Sequence, residues 1–337
     1  MELGPVKGLV LLGGGEIMLD LALWAKGKSI EVKIITSSRH SNEITMHGEM
    51  KQFLELNRLP HLVVDGIDAP AVESFLANAD GFLYLSLGAA WIFKSNTIER
   101  LFKNRLLNVH GTRLPTNRGG GGFSWQILMG NRFGYSLIHK VDAGVDTGPI
   151  IAFEEFLYPH HCRIPQDFEE VYKSRTTSFL KSFISEAMIN EVTFEEVIQV
   201  EYLSTYWPRL NTELNGWINW NSSAADIEKF ICSFDDPYAG AQTFLNHRHV
   251  RLKNVCLSPQ DASFHSYQSG LVYRVAKEWI CVAVPGSTLV VSNVFDQNGS
   301  SIFDTIKPGD RFHTPHRNLE DSFARPIYTP RGLKSPS

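Results

Sequence analysis

Only four cysteines occur in 337 residues: Cys162, Cys232, Cys256 and Cys281. They are scattered, with no C-x-x-C pair and no histidine at zinc-ligand spacing. This excludes a disulfide framework and a structural zinc site, and leaves buried free thiols as the expectation. The nucleophile-elbow pattern G-x-S-x-G is missing, so no serine is presented as an acyl-transfer nucleophile. The dinucleotide fingerprint G-x-G-x-x-G is missing as well; the first glycine-rich turn is Gly13-Gly14-Gly15, and no well-placed acid marks a ribose site. No apolar run is long enough to span a bilayer and no signal peptide is evident, so the protein is expected to be cytoplasmic. The formal net charge is −4, which gives no general attraction to nucleic acid or an anionic membrane. The length predicts two domains with ample core.

From the start, strands and helices alternate. Residues 8–15 read as a buried strand ending in glycines and 16–26 as a helix with a broad apolar face. Then follow a strand over 31–36, a helix over 43–57 stopped by Pro60, a strand over 61–64, a helix over 70–78, a strand over 81–85 and a helix over 92–103. This is the pattern of an α/β fold with a doubly wound, mostly parallel sheet, in which ligands bind at the carboxyl ends of the strands.

The richest stretch is 106–151. Leu106-Leu107 ends a buried strand that delivers Asn108 and His110, two residues apart and therefore on one face. A loop with Pro115, Arg118 and four glycines follows, then a helix over 123–130, a strand over 135–141 and the acidic turn Asp142-Ala143-Gly144-Val145-Asp146-Thr147-Gly148. Asn108 offers an amide donor for a developing oxyanion, and His110 a proton carrier near neutrality. Asp146 can orient the imidazole. The set suits attack on a carbonyl, with the attacking group brought by the substrate. The adjacent His160 and His161 lack helical metal spacing, and no metal is predicted.

These residues in this order, Asn108-x-His110-x-Thr112-x-Leu114-Pro115, then Arg118-Gly119, then Asp142-x-Gly144-x-Asp146-x-Gly148, resemble the signature of the N10-formyltetrahydrofolate-dependent formyltransferases. The resemblance implies a Rossmann-like catalytic domain, with Asn108, His110 and Asp146 as the catalytic triplet. The family serine is Thr112 here, which keeps the hydroxyl, and the small-residue run after Arg-Gly is all glycine. By the same resemblance Leu87, Gly88, Ala89, Ala90, Ile92 and Asp142 bind N10-formyltetrahydrofolate, the formyl donor. Gly14, Arg39, Thr112 and Arg118 are the expected contacts to the other substrate. His139 stands where the family often has a histidine.

Beyond 206 the character changes. A capped helix at 222–231 and short strands at 250–252, 270–275, 279–284 and 288–294 suggest a smaller β-barrel-like domain. The order G-x-I-x-W, S-A, P-Y-x-G-A resembles the C-terminal domain of methionyl-tRNA and some sugar formyltransferases, with Asn219 where an aspartate is common. The expected division is a catalytic domain over 1–205, a barrel-like domain over 206–315 and an extended tail over 316–337. Residues 209–312 hold nine Lys and Arg against ten Asp and Glu, too little positive charge to grip tRNA. The resemblance therefore implies formyl transfer to the amine of a nucleotide-linked amino sugar, for surface polysaccharide (O-antigen) biosynthesis. The alternatives are methionyl-tRNA formyltransferase and a non-catalytic folate-binding regulatory module. A homodimer is a candidate assembly.

Overall fold

A computed structural model describes residues 1–120, 122–258 and 263–334. The first half alternates as expected: β1 (Gly8–Gly13), α1 (Glu16–Gly27), β2 (Glu31–Thr36), α2 (Met50–Leu56), β3 (His61–Val63), α3 (Pro70–Leu76), β4 (Phe82–Leu87), α4 (Ser95–Phe102) and β5 (Leu106–His110). Then come α5 (Gly122–Met129), β6 (Phe133–Lys140), β7 (Ile150–Leu157) and α6 (Pro165–Ile189). The sheet runs β7-β6-β5-β4-β1-β2-β3. Strands β3, β2, β1, β4 and β5 are mutually parallel, and β6 and β7 are added by antiparallel pairing.

Both faces of this sheet are covered, and the alternation of side chains shows why. Leu9 and Leu11 of β1 join Met18, Leu21, Leu180 and Ile184 on the face of α1 and α6. Val10 and Leu12 join Val72, Leu76, Ile98 and Phe102 on the face of α3 and α4. Neighbours in one strand thus serve opposite cores, which explains the unbroken apolar runs of a parallel sheet. Each such fully buried side chain contributes about 1.5–3 kcal/mol.

Two expected helices are shorter than the sequence suggested. The helix over 43–57 survives only as α2. Its first part is a hairpin pairing Ile44–Thr45 with Gly48–Glu49, which follows a separate helical turn at Ser38–Ser41. Gly48 at φ +92 and the Thr45 hydroxyl, which accepts from His47 N at 3.1 Å, favour that turn over helix. The helix over 92–103 begins at Ser95, after an extended Lys94 at its N-cap, and Trp91 Nε1 donates to Asp65 O at 3.1 Å.

After 206 the chain forms α7 (Ala224–Ser233), β8 (Ala241–Leu245), β9 (Arg248–Ser258), β10 (Val272–Val275), β11 (Ile280–Val284), β12 (Ser287–Asp296) and β13 (Phe312–His313). The antiparallel order is β10-β11-β12-β9-β8-β13. A bridge between Leu271 and Arg311 joins the two ends, so the sheet curls toward a barrel. Of the expected strands β9 and β12 are longer than the sequence suggested and β10 and β11 a little shorter, and β8 escaped the sequence reading. One apolar cluster joins both halves: Ile127, Phe156 and Phe168 pack with Ile227, Ile231, Val250 and Val291.

The tail is not extended throughout. It holds α8 (His316–Asp321) and a small hairpin pairing Tyr328–Thr329 with Gly332–Leu333. The hairpin docks on the first half, where Arg39 N donates to Pro330 O at 3.1 Å and Arg331 pairs with Asp65 at 2.9 Å. Among the described residues no helix is long and apolar enough to cross a membrane.

Candidate active site

The site is built at the carboxyl end of β5, beside β6. Residues 108 and 139 face each other across the antiparallel pair, as do 110 and 137. The pairing of β6 with β7 shifts register between Ile138 and His139, a bulge of the kind that re-aims side chains at sites. The loop from β6 to β7 then returns Asp146 over the strand ends. Asp146 sits at φ +54, a left-handed conformation that Asp tolerates better than most residues.

Asn108, His110 and Asp146 do come together. Asn108 Nδ2 lies 3.0 Å from His139 Nε2 and 3.5 Å from Asp146 Oδ1. Asp146 Oδ2 lies 3.8 Å from His110 Nδ1, and Asp146 Oδ1 lies 3.4 Å from His139 Nε2. Gly119 N donates to Asp146 Oδ2 at 2.8 Å. A side chain at Gly119 would meet Trp207 O at 2.6 Å, and its φ is +92, so only glycine brings this donor so close.

The partners fix the histidine tautomers. His110 Nε2 lies 2.7 Å from Asn117 O and 2.8 Å from Thr112 Oγ1. A carbonyl cannot donate, so Nε2 carries the proton and Nδ1 presents its lone pair toward Asp146. His139 Nδ1 likewise donates to Lys140 O at 3.0 Å, leaving Nε2 to accept from Asn108. Burial pushes His110 below the ordinary imidazole value, and the Asp146 charge restores part of it. Burial would raise Asp146, but at the low pH where it titrates the protonated His110 and His139, together with Gly119 N, outweigh burial and hold the carboxyl down at about 2. The resting state is a carboxylate beside a neutral imidazole.

Two cavities meet at this point. One, of about 530 Å³, is lined by Gly88, Ala89, Ala90, Ile92, Asn108, His110, Asp142, Asp146 and Arg39. The other, of about 460 Å³, is lined by His110, Thr112, Trp125, Tyr172, Arg209 and Tyr328. Both reach His110 and Gly119, so two ligands could meet there. Arg39 therefore faces the cleft. Asp142 shapes the turn, accepting from Gly144 N at 3.1 Å and from the Thr147 hydroxyl.

Three expected contacts lie elsewhere. Leu87 is buried in the core, and its carbonyl accepts from Gly14 N at 3.2 Å. Gly14 lines a smaller neighbouring hollow with Leu87 and Gly88, and a Cβ there would strike the His40 ring at 2.7 Å. Arg118 is only 5% exposed and lines neither cavity; it pairs with Glu201 at 2.7 Å and donates to Gln199 Oε1 at 3.1 Å. Gln199 in turn donates to Asp146 O at 2.9 Å and Gly148 O at 2.6 Å, so Arg118 braces the Asp146 loop from behind. Gln199, Tyr206, Arg209, Arg325 and Tyr328 were missed; they are remote in sequence and belong to no motif. Among the described residues no group of three or more His, Cys, Asp or Glu could hold a metal ion.

Residues 211–302 match the family model described as formyl transferase, C-terminal domain. The methionyl-tRNA formyltransferase of Acetivibrio thermocellus is 26% identical over 196 residues, covering 57% of this chain and 60% of that protein. That of Agathobacter rectalis is 26% identical over 200 residues, covering 59% and 61%. The chain spans about 60% of the length of these curated relatives. Among solved structures, the N-formyltransferase of Helicobacter canadensis, in complex with folinic acid and dTDP-3-aminofucose, superposes with a TM-score of 0.65 at 17% identity, covering 85% of this chain and 99% of that one. WlaRD, a sugar 3N-formyl transferase in the presence of dTDP and 5-N-formyl-THF, gives 0.64 at 18% identity, covering 85% and 97%. The fold is that of the formyltransferases.

Proposed function

We propose that this chain is an N-formyltransferase that moves the formyl group of N10-formyltetrahydrofolate to the amine of a nucleotide-linked amino sugar. The observation that carries the reading is the convergence of Asn108, His110 and Asp146 where two cavities meet. The larger cavity is the one assigned here to the flat bicyclic ring of the folate. Gly88, Ala89 and Ala90 offer main chain without bulk, and Trp91, Phe93 and Val141 offer apolar wall. The folate supplies an activated formyl carbon. Folinic acid and a dTDP-linked amino sugar are the ligands named for the Helicobacter canadensis neighbour, which supports both choices.

In the proposed transfer the amine nitrogen bonds the formyl carbon, the bond from that carbon to N10 breaks, and one proton passes from the amine to N10. His110 Nδ1, neutral and with its lone pair toward the cleft, receives the amine proton and returns it to the leaving nitrogen. Asp146 stabilises the imidazolium between these events. The Asn108 amide turns from His139 and Asp146 to donate to the charge that grows on the formyl oxygen.

The curated relatives named as methionyl-tRNA formyltransferases support a second reading, in which tRNA is the acceptor. The weak charge of 209–312 speaks against it. The test is incubation with N10-formyltetrahydrofolate and a panel of nucleotide-linked amino sugars alongside methionyl-tRNA. The expected outcome is a gain of one CO on a sugar. Gain on the tRNA alone would select the second reading, and no gain on any acceptor would leave a folate-binding module.

A further inference from the structure

The C-terminal strap, 316–334, lies beyond the residues matched by the family model, yet it enters the larger cavity. Arg209 and Tyr328 line both cavities, and Arg39, Tyr206 and Arg325 line the larger one beside them, so the cluster stands where the two cavities meet. Each guanidinium is held by something other than a carboxylate. Arg325 lies over the Tyr206 ring at 5.2 Å and donates to its hydroxyl at 3.0 Å. Arg209 lies over the Tyr328 ring at 4.7 Å, and the Tyr328 hydroxyl donates to Leu210 O at 3.1 Å. Arg39 donates to His40 Nε2 at 2.7 Å, while its Nε is buried without a partner. Among the described residues none of the three makes an ion pair.

The Glu43 carboxyl acts on both Arg39 and Arg209 and offsets part of their charge, but it forms an ion pair with neither, so three cations at one cleft remain short of anionic partners. The proximity is felt: burial and the charge of Arg209 pull Arg39 below the ordinary arginine value. Aromatic faces hold two of the guanidiniums in place and leave N–H edges unused, the state in which an arginine fork binds phosphate best. The strap is fastened at its far end by the Arg331–Asp65 pair and by Pro330 O on Arg39 N. Arg325 is thus carried to the cleft by a folded segment.

The geometry points to a diphosphate subsite formed by Arg39 and Arg209 and completed by Arg325 of the strap. The inference rests on the nucleotide-linked acceptor proposed above for the identity of its ligand. Its test needs no turnover. The intact protein and the exposed-residue variants Arg209→Ala and Arg325→Ala, each checked for an unchanged melting temperature, are titrated calorimetrically with inorganic pyrophosphate, thymidine diphosphate and folinic acid. The intact protein is expected to bind both phosphate compounds, more weakly as salt rises. Each variant is expected to lose about tenfold for them and to keep its affinity for folinic acid. Arg317→Ala, on α8 and outside the cleft, is expected to bind like the intact protein. Absence of pyrophosphate binding, unchanged affinity in the variants, or a loss confined to folinic acid would overturn the subsite. A protein that binds pyrophosphate as expected but transfers no formyl group would overturn the activity and leave the subsite standing.

Discussion

The amide nitrogen of Asn108 lies 3.0 Å from Nε2 of His139, its cross-strand partner. With its second hydrogen directed at Asp146 Oδ1, at 3.5 Å, Asn108 spends both donors inside the protein before any ligand arrives. His139 therefore holds the amide at the cleft and sets the direction from which it turns.

Removing that partner separates positioning from chemistry. Asn108→Ala is expected to lower kcat about 10²–10³-fold, as for other oxyanion donors. His139→Leu should lower kcat about 10–100-fold with the KM for the formyl donor nearly unchanged, the usual range for a residue that orients a reacting group. The double variant should be no slower than Asn108→Ala alone. Steady-state kinetics of the three variants check this; fully additive losses would show that His139 acts independently.

The pH profile follows from the two site groups. His110 must be neutral to take a proton, so activity falls as pH drops through its pKa. Burial sets that pKa below the ordinary 6.5, and the acid limb of kcat/KM should therefore lie below 6.5. Asp146, at about 2, stays charged and adds no limb near neutrality. Asp146→Asn removes the charge that raises His110, so in the residual activity the limb should move lower still. A limb that moves up on this substitution would contradict the assignment.

Arg118 tests a support that touches neither cavity. Arg118→Met strands Glu201 and Gln199 and loosens the carbonyls of Asp146 and Gly148. Glu201 is exposed and gains little from the pair, so the loss comes mainly from the Gln199 bond and should be about 0.5–1.5 kcal/mol. kcat should fall while binding of folinic acid persists. Denaturant titration and calorimetry measure the two effects; lost ligand affinity with intact stability would restore Arg118 as a direct contact.

His40 should make stability depend on pH. Burial, then Arg39 and Arg209, lower it from 6.5 to about 4. Between these values the unfolded chain binds the extra proton, so stability rises with pH across the window and is lost as pH falls from 6.5 toward 4. The loss attributable to His40 is at most about 3 kcal/mol. His40→Gln should flatten the difference between denaturation curves at the two ends of the window.

The parallel sheet and the convergence of Asn108, His110 and Asp146 were legible because each rests on local regularities. Two-residue spacing put Asn108 and His110 on one face, and a short acidic turn returned Asp146 to them. Arg118 was misread because its partners, Gln199 and Glu201, lie about eighty residues downstream, and nothing near Arg118 in sequence shows that it is buried. Arg325 and Tyr328 were invisible for a related reason. A proline-containing tail reads as extended until the Tyr328–Thr329 hairpin and its contacts with Arg39 and Asp65 are seen. The helix over 43–57 failed at Gly48, where a left-handed turn outweighed helix periodicity.

The apolar cluster running from α5 and α6 into α7 and the curled sheet has its own consequence. Severing the polypeptide near residue 205 would leave Ile127, Phe156 and Phe168 facing water on one fragment and Ile227, Ile231 and Val250 on the other. The shared seam couples the two halves: each is expected to be less stable alone than in the intact chain, and neither can be traded for a foreign module without rebuilding the seam between them.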